Sequence, residues 1–236
     1  FLVGRSEGVV IDPGPDVEHH VRALASRMAA FDRVTIVLTH GHRDHAGAAA
    51  SLAEATGAEI WGPAGLEGGD VPTLQRVLAD GDTVETDDGA LVAVHTPGHT
   101  PEHLCFHWPD RQALFAGDLL LGRGDTTWVA GYPGCVADYL GSLARLRALD
   151  LAVIYPAHGP PLEDPDAAID RFEAHRLQRI DQVRLALAER PDADTDALVA
   201  HVYGDTLSTS VLGAARLSIA ALMEYVENDP AGSGTR

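Results

Sequence analysis

The feature that most constrains the fold is a continuous run of apolar and β-branched residues at 34–39 (VTIVLT). Such a run is typical of a strand buried on both faces, as in sheets covered by helices. Apolar residues at helical spacing precede it: Val17, Val21, Leu24, Met28 and Phe31. A helix over about 47–56 and short strands at 1–3, 9–11, 59–61, 83–84, 90–95, 104–107, 113–116 and 152–155 complete the pattern. This alternation predicts a layered α/β body.

From residue 164 onward the sequence predicts helices alone. One apolar stripe contains Ile169, Phe172, Leu177, Ile180, Val183 and Leu187, and Pro191 ends it. Two further helical segments are expected around 195–203 and 207–226, followed by a flexible tail. We therefore expect two parts, a body over residues 1–163 and a small helical appendage over 164–236.

Composition excludes some classes of function. Lys and Arg number 17 against 35 Asp and Glu, and the resulting net charge of −18 disfavours a general nucleic-acid binder. No apolar run approaches the roughly 18 residues of a membrane helix, and two cysteines without a CxxC pair exclude a disulfide scaffold. The chain starts without Met inside a predicted strand, so we expect an incomplete N-terminal strand; a cytoplasmic protein without membrane association is expected.

A cluster of metal-ligand side chains follows the buried strand directly. His40, His42, Asp44 and His45 lie within six residues, and Gly41 lets the backbone turn between them. Imidazole and carboxylate together suit zinc, or iron and manganese. Four ligands so close in sequence do not all close comfortably on one ion, so two adjacent metal ions are expected.

Three more candidate ligands follow other predicted strands. His99, Asp118 and His158 each lie one to four residues beyond a strand end, next to Gly or Pro. Open α/β sheets place their ligands at this edge. We expect all seven side chains to meet there.

The segments 39–45 (THGHRDH), 96–100 (TPGHT), 115–118 (FAGD) and 156–159 (PAHG) resemble the metal-binding motifs of the metallo-β-lactamase superfamily. Segment 10–14 (VIDPG) resembles its opening strand and turn, so the resemblance covers residues 1–161. It implies a four-layer αβ/βα sandwich with the metal ions at one edge of two packed sheets. It also implies two Zn²⁺ per chain, with Fe or Mn as alternatives: His40, His42 and His99 on one ion, Asp44, His45 and His158 on the other, and Asp118 bridging both.

Arg43 and two segments of the appendage point to one group within this superfamily. Arg43 and the segments 174–176 (AHR) and 203–205 (YGD) resemble the β-lactamase-like protein 2 group, whose tail is a small winged-helix-like unit and whose members include ribonucleases. Here, however, Arg171, Arg176, Arg179 and Arg184 are scattered among acidic residues. RNA is therefore a disfavoured partner, and no basic cluster suited to glutathione carboxylates is evident.

The site chemistry predicts that a hydroxide bridging the two metal ions attacks a carbonyl or phosphorus centre, because zinc lowers the pKa of bound water to near 7. Asp44 would orient this nucleophile and carry a proton to the leaving group. Asp12 is a candidate acceptor for a ligand histidine, or only a turn residue. His103, Trp128 and Tyr132 are candidate cleft residues, or ordinary packing residues, and the latter two lie in the aperiodic segment 122–134.

We therefore predict a dinuclear zinc hydrolase acting on a small-molecule ester, thioester or lactam/amide, with hydroxyacylglutathione thioesterase and β-lactamase as two versions. An endoribonuclease or phosphodiesterase is the main alternative. An iron persulfide dioxygenase and a non-catalytic nucleic-acid-binding protein remain further alternatives. The oligomeric state stays open.

Overall fold

The structure, a computed structural model, describes residues 1–66, 72–204 and 207–228. Within these ranges it has ten strands and seven α-helices. The strands are β1 (Leu2–Val3), β2 (Glu7–Ile11), β3 (Arg33–Val37), β4 (Ile60–Pro63), β5 (Arg76–Leu78), β6 (Thr83–Val84), β7 (Leu91–His95), β8 (Leu104–Trp108), β9 (Ala113–Phe115) and β10 (Val153–Tyr155). The helices are α1 (Glu18–Met28), α2 (Arg43–Ala46), α3 (Ala49–Thr56), α4 (Cys135–Leu146), α5 (Pro165–Glu189), α6 (Thr195–Tyr203) and α7 (Thr209–Asn228).

The strands form two five-stranded sheets. The first sheet runs in the order β1-β2-β3-β4-β5, with β1 antiparallel to β2 and the others parallel. The second runs in the order β10-β9-β8-β7-β6, antiparallel except where β10 pairs parallel with β9. Strand β5 was missed by the sequence reading, because it has only three residues and leaves two of them exposed.

Three hydrophobic layers alternate with the sheets and helices. Alternate residues of β2 and β3 face α1 and α3 on one side and the second sheet on the other, as Ile36 and Val37 illustrate. The outer face of the second sheet packs on α4 and α5. The predicted four-layer αβ/βα sandwich is confirmed, and the run at 34–39 is buried on both faces as expected.

The predicted helical appendage is present as α5, α6 and α7. Asp164 caps α5 by accepting a hydrogen bond from the backbone N–H of Ala167. The buried face of α5 differs from the predicted stripe: Leu177 is exposed, and Arg176 is buried in its place. Side chains of α5–α7 belong to the same hydrophobic cluster as α4, so the boundary between residues 163 and 164 as a domain boundary stays a prediction.

Some sequence predictions lie outside the described residues. These are positions 67–70 of the loop predicted at 62–70, Asp205 of the 203–205 motif, and the tail after residue 228. The described part of the appendage contains helices and no strand, so the winged-helix-like form stays a prediction. Among the described helices, none combines the length and apolar character of a membrane-spanning segment.

Candidate metal centre

The candidate ligands meet at one edge of the sandwich, where the carboxyl ends of strands from both sheets come together. His40 and His42 follow β3, and His99, Asp118 and His158 follow β7, β9 and β10. The backbone joins the sheets at this edge, because the N–H of Leu104 donates to the carbonyl of Thr39 at 2.9 Å. All seven side chains belong to groups of potential ligand atoms lying within 4.8 Å of one another: His40, His42 and His99; His40, His45 and Asp118; Asp44, His45 and His158.

Asp12 organises the base of this centre. Its Oδ1 accepts from the backbone N–H of Thr39 at 2.8 Å, and its Oδ2 accepts from the Thr39 hydroxyl at 2.7 Å and from Nδ1 of His45 at 2.8 Å. Because a carboxylate only accepts, Nδ1 of His45 donates this bond. Burial alone would lower the pKa of His45, but its hydrogen bonds and charge interactions with Asp118 and Asp12 outweigh burial and raise that pKa to about 10, so a metal ion at Nε2 would displace a proton. Asp12 has a φ of 48°, in the left-handed region that Asp tolerates better than most residues.

The same hydrogen-bond argument shows which ring nitrogen carries the proton in two more histidines. The Thr39 hydroxyl donates to Asp12, so it accepts from Nδ1 of His40 at 2.9 Å. Nδ1 of His99 donates to the carbonyl of Trp128 at 2.9 Å. Nε2 of His40 and Nε2 of His99 are therefore unprotonated, and each lies 3.0 Å from Nδ1 of His42. Three nitrogens converging in this way form a site for a cation.

Asp118 stands between two groups of histidines. Its Oδ1 lies 3.4 Å from Nε2 of His45 and 3.5 Å from Nε2 of His158, whereas its Oδ2 lies 3.7 Å from Nε2 of His99. Asp44 lies on the far side of the second group, with Oδ2 at 3.2 Å from Nε2 of His158 and 3.8 Å from Nε2 of His45. The two carboxylate oxygens of Asp118 thus face different groups of histidines.

Two buried atoms at this point lack any hydrogen-bond partner among the described residues: Nε2 of His45 and Oδ1 of Asp118. Leaving such groups unsatisfied costs about 1–3 kcal/mol each. A cation coordinated by both would remove that cost, and the imidazole and carboxylate donors are those that zinc, iron and manganese take. The residues present therefore fit a metal centre.

Burial and charge set the protonation of the centre. Burial lowers the pKa of His40, and four neighbouring histidines lower it further, so His40 is neutral. Burial likewise lowers the pKa of His99, against the nearby carboxylate of Asp118. Burial alone would raise the pKa of Asp118, but His45, His99 and His158 outweigh it and lower that pKa. Neutral histidines and an ionised carboxylate are the forms that bind metal ions.

His103 does not line a cleft, because it is fully buried. Its Nε2 accepts from the backbone N–H of Asp118 at 3.2 Å, and its Nδ1 contacts the Thr96 hydroxyl at 2.9 Å. Gly117 allows this approach: a Cβ there would lie 2.6 Å from Nε2 of His103, and the residue has a φ of 49°. His103 therefore supports Asp118 from behind.

The two aromatic candidates differ in position. Trp128 is half-buried, and its carbonyl orients His99, whereas the Tyr132 hydroxyl donates to Asp138 at the start of α4. Sequence reasoning missed Thr39, which links Asp12 to His40, and Thr127, whose hydroxyl donates to the carbonyl of Asp118 at 2.7 Å. Thr39 was discoverable, since it directly precedes the HGHRDH segment; Thr127 lies in a segment without a recognisable pattern.

Comparison with known proteins agrees with this geometry. The family model of the metallo-beta-lactamase superfamily matches residues 1–158. Beta-lactamase-like protein 2 homologs are similar to the chain: that of Caenorhabditis elegans is 28% identical, covering 87% of this chain and 70% of the relative, and that of Drosophila melanogaster is 30% identical, covering 87% and 74%.

A relative with a named activity is the atrochrysone carboxyl ACP thioesterase of Aspergillus fumigatus. It is 30% identical over 79% of this chain, which spans 58% of that protein. The chain therefore covers less than two thirds of this relative's length.

Solved structures share the fold. A beta-lactamase domain protein from Burkholderia ambifaria has a TM-score of 0.84 at 22% identity, covering 97% of this chain and 81% of the other. TTHA1623, crystallised in a di-iron-bound form, has a TM-score of 0.56 at 26% identity, covering 75% of this chain and 91% of its own.

Proposed function

The chain belongs to the metallo-beta-lactamase superfamily, and we propose that this metal-dependent hydrolase cleaves a small thioester or ester with the help of two metal ions. The observation that carries the proposal is the convergence of seven ligand-type side chains, with Nε2 of His45 and Oδ1 of Asp118 buried and unpartnered between them.

One ion would be held by His40, His42 and His99, the other by Asp44, His45 and His158, with Asp118 shared. Metal ions bound there would supply Lewis acidity and lower the pKa of a coordinated water to near neutrality. The metals proposed are two Zn²⁺; the di-iron form of TTHA1623 makes iron the main alternative.

The protein's own contribution is orientation and proton transfer. His40, His45 and His99 are buried and held by fixed acceptors, so their ring nitrogens are preorganised. Asp44 and His158 are about half exposed, with side-chain exposures of 55% and 49%, and they form the open side of the centre. Asp44 would accept a hydrogen bond from the attacking water and pass a proton to the leaving group.

A thioester is the favoured substrate class because of the named activity of the Aspergillus fumigatus relative. Thioesters and activated esters also expose a carbonyl without needing a basic surface to bind them, which suits a chain of net charge −18. A lactam is a further member of the same carbonyl class.

RNA cleavage is the second candidate, because the sequence resembles the β-lactamase-like protein 2 group, which includes ribonucleases, and homologs of that name are similar to the chain. Binding to RNA through phosphate contacts weakens steeply with added salt. Cleavage of an RNA oligonucleotide that falls sharply between low and high salt would favour it over the carbonyl hydrolase.

The first test measures metal content and turnover together. Protein purified without added metal should contain two metal equivalents per chain by elemental analysis and should hydrolyse acyl thioesters or p-nitrophenyl esters. Asp44→Asn should lower kcat by about 10²–10⁴-fold while the ion on His40, His42 and His99 is retained. A single iron, with oxygen consumed in the presence of persulfides, would contradict the proposal and favour the persulfide dioxygenase.

The matched control for that test is Asp16→Asn, an exposed carboxylate in the turn before α1. It should leave both metal content and kcat unchanged. Equal losses of turnover and of both metal ions in Asp44→Asn would mean that Asp44 is a ligand alone.

A further inference from the structure

A cavity lies between the segment 126–129 and the C-terminal helices. Its volume is about 360 Å³, within the range of small-molecule sites. We name it the tail cavity. Its apolar lining includes Leu121, Trp128, Val129, Leu207, Val211 and Ala215. None of the seven candidate metal ligands lines it.

Two arginines of α5, Arg176 and Arg179, enter this apolar lining together with His175, whose pKa is lowered by burial and whose Nε2 lies 4.0 Å from Oδ1 of Asp125. No Asp or Glu is among the described residues that line the cavity, although the chain carries 35 acidic residues against 17 Lys and Arg. A local excess of positive charge on so acidic a protein is unlike its general surface. The sequence showed these arginines only as scattered positions, because the acidic residues near them in sequence are not among the residues that line the cavity.

Arg176 is the central charged group of the tail cavity, and only 3% of its surface is exposed. One guanidinium nitrogen donates to the carbonyl of Thr127 at 3.2 Å, and the group lies 5.3 Å from the centre of the Tyr139 ring. Its Nε has no hydrogen-bond partner among the described residues. None of the described carboxylates pairs with it, and a buried cation without a counter-ion among its neighbours is costly.

Arg179 lies one turn further along α5. Its guanidinium is 4.9 Å from the centre of the Tyr203 ring, and it donates to Gln182 and to the carbonyl of Val202. The described residues give it no carboxylate partner either. Each of the two guanidinium groups is planar and permanently charged, and such groups recognise carboxylates.

We propose that the tail cavity binds a small organic acid, with its carboxylate on Arg176 and Arg179 and its apolar chain along Leu121, Val129 and Val211. An anion would supply the missing counter-charge, and the apolar wall would bury the chain. Because no metal ligand lines the cavity, this is a ligand site separate from the hydrolytic centre.

The cavity and the metal centre share one wall. Thr127 and Trp128 line the cavity, while the Thr127 hydroxyl donates to the carbonyl of Asp118 and the Trp128 carbonyl accepts from His99. Arg176 holds the same segment through the Thr127 carbonyl. A ligand on Arg176 therefore contacts the segment that positions two of the candidate metal ligands.

The test is isothermal titration calorimetry of octanoate binding to the metal-loaded wild-type protein, with octanol as the uncharged control ligand. Octanoate should bind saturably and octanol about tenfold or more weakly, since a hydrogen bond to a charged group is lost. Equal affinity for the two would overturn the proposal, because it would show an apolar site without anion recognition.

Substitutions distinguish octanoate bound in the tail cavity from octanoate bound at the metal centre, since metal ions also bind carboxylates. Arg179→Gln should weaken octanoate about tenfold or more, whereas Arg184→Gln on the same helix should not. Octanoate affinity unchanged in Arg179→Gln would place the ligand elsewhere and refute the proposal.

A second pair of variants leaves all the arginines of the cavity unchanged. Val211→Glu adds a carboxylate to the cavity wall, and Leu217→Glu adds one to an exposed position of α7 outside the lining. Only Val211→Glu should weaken octanoate binding. The same affinity in both variants, with unchanged helical content by circular dichroism, would also refute the proposal.

Discussion

Asp12→Asn is the sharpest test of how the metal centre is organised. The substitution keeps the size and shape of the side chain, and Asn tolerates the φ of 48° at this position as well as Asp does. Only the hydrogen-bonding pattern changes. All three groups around Asp12 are donors toward it: the Thr39 N–H, the Thr39 hydroxyl and Nδ1 of His45.

An amide cannot satisfy these three donors. If its NH₂ takes the place of Oδ1, it faces the backbone N–H of Thr39, which cannot turn away. If it takes the place of Oδ2, it faces Nδ1–H of His45. The imidazole would then have to move its proton to Nε2, the nitrogen that lies 3.4 Å from Oδ1 of Asp118 and would bind the metal ion.

The magnitude follows from the bond that is lost. A hydrogen bond to a charged group is worth about 1.5–3 kcal/mol, and changes in the groups that orient metal ligands cost roughly 10–100-fold in metal affinity. We therefore expect the metal ion on Asp44, His45 and His158 to bind about 10–100-fold more weakly. Competition with a chromophoric chelator measures this loss directly.

The ion on His40, His42 and His99 should be less affected, because Asp12 reaches His40 only through the Thr39 hydroxyl. Asp16→Asn in the same turn serves as the control and should bind both ions as the wild type does. Two ions bound to Asp12→Asn with wild-type affinity would refute the argument that this carboxylate fixes the histidine tautomer.

Two further predictions concern the neighbouring residues. Asp118→Ala should lose both metal ions, because its two oxygens face different histidine groups, and retention of two ions by elemental analysis would contradict the bridging role. Gly117→Ala should lower the free energy of unfolding in urea by about 1–3 kcal/mol, since its Cβ would lie 2.6 Å from Nε2 of His103. Gly124→Ala is the matched control, with a φ of 77° and open space around it; equal losses in both variants would attribute the effect to the backbone alone.

Much of the architecture could be predicted from the sequence because its signals are local. The continuous run at 34–39 predicts a doubly buried strand, and a ligand cluster that follows such a strand directly needs only one turn to reach the sheet edge. The apolar periodicity of α1 likewise depends on residues close together in the chain. The assignment of individual ligands to the two ions remains a prediction.

Side-chain partners far apart in sequence could not be predicted in this way. Asp12 is 33 residues from His45, and Trp128 is 29 residues from His99, so only the packing of two sheets and one long segment brings these atoms within hydrogen-bond distance. His103 shows the same limit: its place behind Asp118 depends on the pairing of β8 with β9.

The sequence by itself determined which residue types end the strands, and hence that a metal centre stands at one edge of a layered α/β fold. The tertiary structure decided which face of α5 is buried. Helical periodicity placed Leu177 inside, but folding brings the Tyr139 ring and the Thr127 carbonyl against Arg176, so Arg176 is buried and Leu177 is exposed. Periodicity reports where apolar side chains recur along one helix, whereas partners for a buried charge come from distant segments that only folding brings together.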